Sequence, residues 1–359
     1  MPELLKNGFN EEFLTKLCLA VKKEYEPFDE SEFMFMIEAQ DFWNKELKQR
    51  AREITHALAH QLPDKYEGAL WIIRKTAPQF PGLTGMIFPD FVSYRGLDYF
   101  DLSVSALKEL TEYFSSEFAI RPFIKKYPVR MFAILTQWAT DENHHVRRLA
   151  SEGCRPRLPW AEALEDLKKD PSPILPILEI LKEDDSDYVR KSVANNLNDI
   201  SKDHPRLVLD LAKQWIGKNE KTDWIIRHGC RTLLKKGDAE ALRLFGFNPT
   251  KASIQEVTIS SSTIVMGGEL QAAFKLVNPE EAKLRIEYIM EFAKANQKVS
   301  RKIFKLSEKV YTKGTHSLTI KHSFKDLSTR KHYPGEHRLF IIVNGEEKEY
   351  IEFILKDVE

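Results

Sequence analysis

Residues 270–290 read LQAAFKLVNPEEAKLRIEYIM, with apolar side chains on every second position: Leu270, Ala272, Phe274 and Leu276, then Leu284, Ile286, Tyr288 and Met290. Successive side chains of a strand point to opposite faces, so this alternation predicts half-buried β-strands. The same period continues in Leu318, Ile320, His322 and Phe324, and in Leu339, Ile341 and Val343, with His322 the one polar member of its stripe. Asn344-Gly345 follows, a pair that tolerates positive φ at both residues and predicts a tight type I′ hairpin.

Turn signals divide residues 254 to 356 into about seven such runs, which fits an immunoglobulin-like β-sandwich built without a cysteine pair. Upstream of residue 250 the period changes. Leu107, Leu110 and Phe114, or Val189, Val193, Leu197 and Ile200, recur at three to four residues, the spacing of one helix face. The two regions are expected to be domains, 1–247 and 254–359, joined through GFNPTKAS at 246–253, where Gly246 and Pro249 interrupt the last helix.

The helical region repeats itself. DENHHVRRLASEG (141–153), DDSDYVRKSVANN (184–196) and KTDWIIRHGCRTL (221–233) each place a polar turn before an apolar residue, an arginine and a second basic group. The matching positions Arg147, Arg190 and Arg227 lie 43 and 37 residues apart, close to the period of paired-helix repeats of the HEAT type. The predicted architecture is therefore α then β: a HEAT-like helical-repeat solenoid followed by an immunoglobulin-like β-sandwich. Stacking sets the second helices side by side, so the basic pairs Arg147-Arg148, Arg190-Lys191 and Arg227-His228 fall on one stripe. The first member of each pair has two readings, an ion pair to a turn carboxylate or part of a basic surface.

The chain balances 54 Lys and Arg against 54 Asp and Glu over 359 residues, which excludes a polycationic tail protein and leaves attraction to a polyanion to local charge placement. Residues 121–157 hold eight basic residues against three acids, an excess that reads either as a phosphate-binding footprint or as a solvated face. From residue 248 onward there are 18 basic residues and 15 acids. The run Lys294, Lys298, Arg301, Lys302, Lys305 and Lys309 reads as a second grip on DNA or as lysine protection of a strand edge. The opening MPELLKNGFNEEFLTKL lacks the features of a signal peptide, and no stretch nears 18 consecutive apolar residues, so a cytoplasmic protein without a membrane span is expected. Cys18, Cys154 and Cys230 form no CxxC pair and read as buried hydrophobes.

Three residues stand apart from the packing pattern. Glu117 lies in SSEFAIRPF, at a helix junction, and serves there either the positive end of a helix or as a base or anion beside a cationic transition state. Trp160, in RPRLPWA between prolines and basic residues, is off any apolar stripe, unlike Trp138 and Trp215; it either caps a core or stacks on a ligand. Asp199 follows Ser192 and Asn195 on a polar strip beside the buried face of its helix. His144-His145 makes a poor chelate, and His56 and His60 have helical i, i+4 spacing but no glutamate at Ala57 and no evident third ligand, so no metal site is expected. Phosphate-loop, dinucleotide and serine-esterase motifs are absent from the sequence.

The blocks EFAIRPF (117–123), HHVRRLASEGCRPRLPW (144–160) and SVANNLNDISKDHP (192–205) together resemble the DNA alkylation repair glycosylases of the AlkC type, over about residues 1–247. The predicted sandwich resembles the immunoglobulin-like domain of the longer AlkC subtype. The resemblance implies hydrolysis of the N-glycosidic bond of cationic alkylated bases, 3-methyladenine and 3-methylcytosine, in double-stranded DNA without flipping the lesion into a pocket. It implies Glu117 and Asp199 as the active carboxylates, Trp160 as the lesion contact, and Arg148, Arg155 and Arg157 as phosphate ligands. Lys191 and Arg227 join that list from the basic stripe. No metal or organic cofactor is implied, and a monomer is expected. The rival from another class is a non-enzymatic helical-repeat adaptor that binds nucleic acid or protein.

Overall fold

A computed structural model of the protein describes residues 4–294, 298–326 and 331–357. Helices occupy the chain up to Ala239–Leu244, and strands begin at Ser253–Ile259. The chain divides into two compact units: Met1–His204 with Trp215–Gly229, and Pro205–Gln214 with Cys230–Glu359. No helix among the described residues is long and apolar enough to cross a membrane.

In the first unit, the helix His144–Glu152 packs against Asp187–Ile200, which packs in turn against Glu220–Gly229. The three sequence repeats thus supply three neighbouring helices, as the period required. Val189, Val193, Leu197 and Ile200 are each at most 2% exposed, which confirms the stripe read from their spacing. Asn143 starts the first of these helices by accepting the His145 amide at 2.9 Å. The asparagines of the middle helix, poor helix formers, find a use in packing: Asn196 Nδ2 donates to the Ser151 carbonyl at 2.8 Å, beside a 2.7 Å Ser151–Ser192 hydroxyl contact.

The leading arginines of the first two repeats are tie-pieces. Arg147 grips the carboxylate of Asp184 in the next repeat through Nε (2.6 Å) and Nη2 (3.0 Å), and its Nη1 donates to the carbonyls of Asp141 and Glu142. The Asp184 hydrogen bond holds the Arg147 pKa above its ordinary value. Arg190 likewise donates to the Asp184 and Asp185 carbonyls at 2.7 and 2.8 Å. Arg147→Met is expected to lower stability by about 1–3 kcal/mol through the unpaired Asp184, seen as an earlier melting transition. DNA affinity per folded molecule should stay unchanged; an unchanged melting point would reject the tie.

The second unit contains eight described strands, one more than the sequence suggests: β1 (Ser253–Ile259), β2 (Thr263–Val265), β3 (Glu269–Asn278), β4 (Ala282–Ala293), β5 (Val299–Tyr311), β6 (Gly314–Ser323), β7 (Gly335–Val343) and β8 (Glu346–Lys356). They form two sheets, β1-β3-β6 and β2-β8-β7-β4-β5. The alternating residues Leu270, Ala272, Phe274, Leu276, Leu284, Ile286, Met290, Ile320, Leu339, Ile341 and Val343 form the core between them. Asn344 and Gly345 take φ of 49° and 84°, joining β7 to β8 by the anticipated two-residue turn. One expectation needs correcting: β4 is buried on both faces rather than half-buried. It is flanked by β5 and β7, and its outward Arg285 and Glu287 bury by pairing with each other at 2.6 Å, Arg285 also reaching Glu308 at 2.7 Å.

Candidate active site

Glu117 lies in a turn between the helices Phe100–Leu110 and Arg121–Lys126. The Ser115 hydroxyl donates to its Oε2 at 2.9 Å, and Arg148 Nη1 donates to the same oxygen and to Ser115 Oγ at 2.8 Å. Arg148 continues to Glu152 at 3.5 Å; Glu152 takes Arg155 Nη1 at 2.6 Å; Arg155 Nε donates to Asp199 Oδ2 at 2.9 Å; and Lys202 reaches Asp199 Oδ1 at 3.0 Å. The result is an unbroken ladder of alternating sign: Glu117, Arg148, Glu152, Arg155, Asp199, Lys202. Paired neighbours let carboxylates stay buried without the cost of an isolated charge. Asp199 is only 1% exposed and Arg155 6%. Burial works against the Arg155 charge, but Glu152 and Asp199 outweigh it and raise its pKa.

The ladder joins the predicted carboxylates and changes the reading of two arginines. Arg155 was expected at a phosphate, yet its guanidinium is buried and turned onto two carboxylates. Gly153 ends the helix in helical geometry with no room for a Cβ, which would meet Ile120 Cγ2 at 2.7 Å, and two residues on the Arg155 side chain points inward to Glu152 and Asp199. Arg148 is also turned inward, lying 4.6 Å from the Tyr188 ring centroid, with only 14% of its side chain exposed. Arg157 and Lys191 remain accessible: Arg157 makes a forked contact with Asp203 (2.7 and 3.0 Å), and Lys191 pairs with Asp187 at 2.6 Å. Arg227 is partly buried on the helix Glu220–Gly229.

The basic excess of residues 121–157 is matched by acids from outside that segment. Lys125 pairs with Glu162, Lys126 with Asp98, Arg130 with Asp101, Arg147 with Asp184, and Arg157 with Asp203. Arg121 makes no such pair in this set; it is buried against backbone carbonyls, and burial pulls its pKa down to about 10. Surface attraction for a polyanion therefore depends on exposed pairs that can exchange partners and that solvent screening keeps weak. In the second unit, Arg301, Lys302, Lys305 and Lys309 lie on β5, the edge strand of its sheet, with Arg301 tied to Glu291 and Glu347 at 3.0 Å each.

Trp160 is 62% exposed, whereas Trp138 and Trp215 are 5% and 3% exposed, so it stands outside the core as its sequence context suggested. Its backbone has φ of +64°, in the left-handed region that a bulky residue rarely adopts. Among the described residues no group of three or more His, Cys, Asp or Glu is arranged to hold a metal ion. His144 and His145 lie against each other with their rings tilted by 36°, while His56 and His60 turn to different acids, Glu53 and Glu32.

Sequence reasoning passed over Glu152, Ser115 and Lys202. Glu152 had a usable signal: Arg148, Glu152 and Arg155 are spaced by four and three residues, so the carboxylate can face both arginines. Ser115 and Lys202 gave none beyond proximity to Glu117 and Asp199.

Residues 114–233 match the family described as "DNA alkylation repair enzyme", and residues 253–357 match the C-terminal immunoglobulin-like domain of "Uncharacterised protein YhaZ". The chain is 47% identical to the uncharacterized protein YhaZ of Bacillus subtilis strain 168 over 351 residues, covering 97% of this chain and 98% of that protein. It is also similar to the Pseudomonas fluorescens alkylpurine DNA glycosylase AlkC bound to DNA containing an abasic site analog. That similarity is 36% identity with a TM-score of 0.94, covering 99% of this chain and 100% of the other.

Proposed function

Since the chain belongs to the AlkC-type DNA alkylation repair family, we propose that it is a DNA glycosylase that hydrolyses the N-glycosidic bond of cationic alkylated bases, 3-methyladenine and 3-methylcytosine, in double-stranded DNA. The observation that carries this reading is the charge ladder, which ties Glu117 to Arg148 and Asp199 to Arg155 while Trp160 stays exposed on the loop that also carries Arg155. An N3-methylated base bears positive charge and departs neutral once the bond to C1′ breaks, so no general acid is needed. The difficult species is the deoxyribosyl oxocarbenium ion. Carboxylates beside the sugar stabilise that cation and orient a water, whose oxygen bonds to C1′ as its proton passes to a carboxylate.

In this scheme Trp160 offers a π face to the cationic lesion. The lesion need not enter a pocket, because the cation is met at the duplex surface. Arg157, Lys191 and Arg227 serve the phosphates, while Arg148 and Arg155 hold the carboxylates. The second unit adds the lysines of β5 as a further contact with DNA.

Purified protein and methylated duplex provide the test, with released bases separated and quantified. Release of 3-methyladenine and 3-methylcytosine is expected at least about 100-fold faster than release of uracil or hypoxanthine, since a neutral base lacks the pre-formed leaving group; this equals a barrier difference of about 2.7 kcal/mol. Excision of uncharged bases at the same rate would overturn the mechanism, and binding without release would favour the adaptor. Affinity for duplex should fall with salt at a log–log slope steeper than about −2.7, which three phosphate contacts at about −0.9 each supply before the β5 lysines add theirs. A flat salt response would remove Arg157, Lys191 and Arg227 from the interface.

A further inference from the structure

We propose that Lys48 is a positioning residue for base release, a strut that holds Trp160 at its working height. The inference rests on the reading of Trp160 as the lesion contact. Lys48 comes from the helix Leu47–Gln61, outside the segment matched to alkylation repair enzymes, and its Nζ donates to the Trp160 carbonyl at 2.7 Å.

The need for a strut follows from the backbone. A left-handed conformation at a bulky non-glycine residue is strained and persists only where the surroundings impose it. The Trp160 ring cannot impose it by packing, because most of its surface faces solvent. Nor does the adjoining chain rest on a packed floor: Ala161 and Glu162 border a cavity of about 490 Å³, whose other walls include Lys48, Phe114, Phe118 and Arg121. Backbone beside empty space is held by its polar ties. Arg121 fixes the flanks of the loop, donating to the carbonyls of Gly153 (3.0 Å), Arg155 (2.8 Å) and Glu162 (2.7 Å). The turn at residues 158–161, with Trp160 at its third position, is closed by the Ala161 amide donating to the Leu158 carbonyl at 3.2 Å, and Lys48 adds a side-chain tie at the Trp160 carbonyl from outside that turn.

The same ammonium lies 4.8 Å from the ring centroid of Phe118, the residue after Glu117. One side chain therefore touches the backbone of the aromatic contact and the immediate neighbour of a catalytic carboxylate. The adjacent Arg52 is engaged elsewhere, with Asp90 at 2.8 Å. Without Lys48 the loop is free to relax toward the cavity, and the ring loses its place relative to Glu117 and Asp199.

A double-mutant cycle on full-length protein tests this, using single-turnover excision from 3-methyladenine duplex and affinity for a duplex carrying an abasic-site analogue. Lys48→Met should slow excision about 5- to 20-fold, the scale of one charge-assisted hydrogen bond, with duplex affinity changed less than about twofold. Lys48→Arg, which keeps a cationic donor, should recover most of the rate. In a Trp160→Ala background Lys48→Met should cost nothing further. An equal loss in both backgrounds, or weakened affinity with a shallower salt slope, would make Lys48 an independent phosphate contact and overturn the proposal. So would a Lys48→Met rate equal to wild type. If Trp160→Ala alone leaves excision intact, the lesion-contact reading fails as well; if only that variant is slow, the failure belongs to Lys48 alone.

Discussion

Asp199→Asn is expected to slow single-turnover base release by about 10²- to 10³-fold, the scale on which loss of a preorganised charge beside a charged transition state is felt. The amide keeps the shape of the side chain and removes the negative charge that, in the proposed mechanism, faces the oxocarbenium ion. Asp199 also balances Arg155 and Lys202 from a site that is 1% exposed, so some loss of stability accompanies the change, and melting must be followed in parallel. Rates are compared only at temperatures where both proteins are folded. Glu117→Gln belongs to the same experiment, because Glu117 ends the other side of the ladder and touches Arg148 and Ser115. If both variants release 3-methyladenine at the wild-type rate, neither carboxylate is catalytic.

Arg155→Met should be the most damaging single change to the fold of this site. It takes the closest cationic partner from Glu152 and Asp199, both at most 5% exposed, and leaves them only Arg148 at 3.5 Å and Lys202 at 3.0 Å; removing one partner of a buried pair costs up to about 3–5 kcal/mol. Against a typical domain stability of about 5–15 kcal/mol, that loss should lower the denaturation midpoint visibly and reduce excision even in the folded fraction. Arg155→Lys keeps the charge but loses the fork that reaches both acids at once, so it should fall between wild type and Arg155→Met. A variant with unchanged stability and only weaker DNA binding would restore Arg155 to the phosphate role its sequence setting suggested.

The contacts of Arg155 show where the sequence was readable and where it was not. Alternation over residues 270–290 was enough for the sandwich because a sheet with one buried face writes its period into the chain. β2 escaped notice because Thr263–Val265 is too short to show any alternation, and it is defined by its parallel pairing with β8. The repeat was legible because Arg147 and Arg190 perform the same tie in successive units. Glu117, Trp160 and Asp199 stand apart in the sequence and the resemblance implies their roles, but the direction of each arginine was not legible. Arg155 finds Asp199 44 residues away, and Lys48 finds Trp160 across 112 residues. Charge counted within 121–157 likewise missed the acids that tertiary structure brings to it from Asp98, Asp184 and Asp203.

The ladder of alternating sign has a consequence for descent. A single change at Arg148, Glu152, Arg155 or Asp199 leaves an odd charge enclosed beside its former partner, so one-step variants pass through a poorly folded intermediate. Two members must change together to keep neutrality. These positions are therefore mutually fixed, and the surface on which substrate preference varies most freely lies outside them, at residues such as Trp160, Arg157 and Lys191 whose loss strands nothing inside.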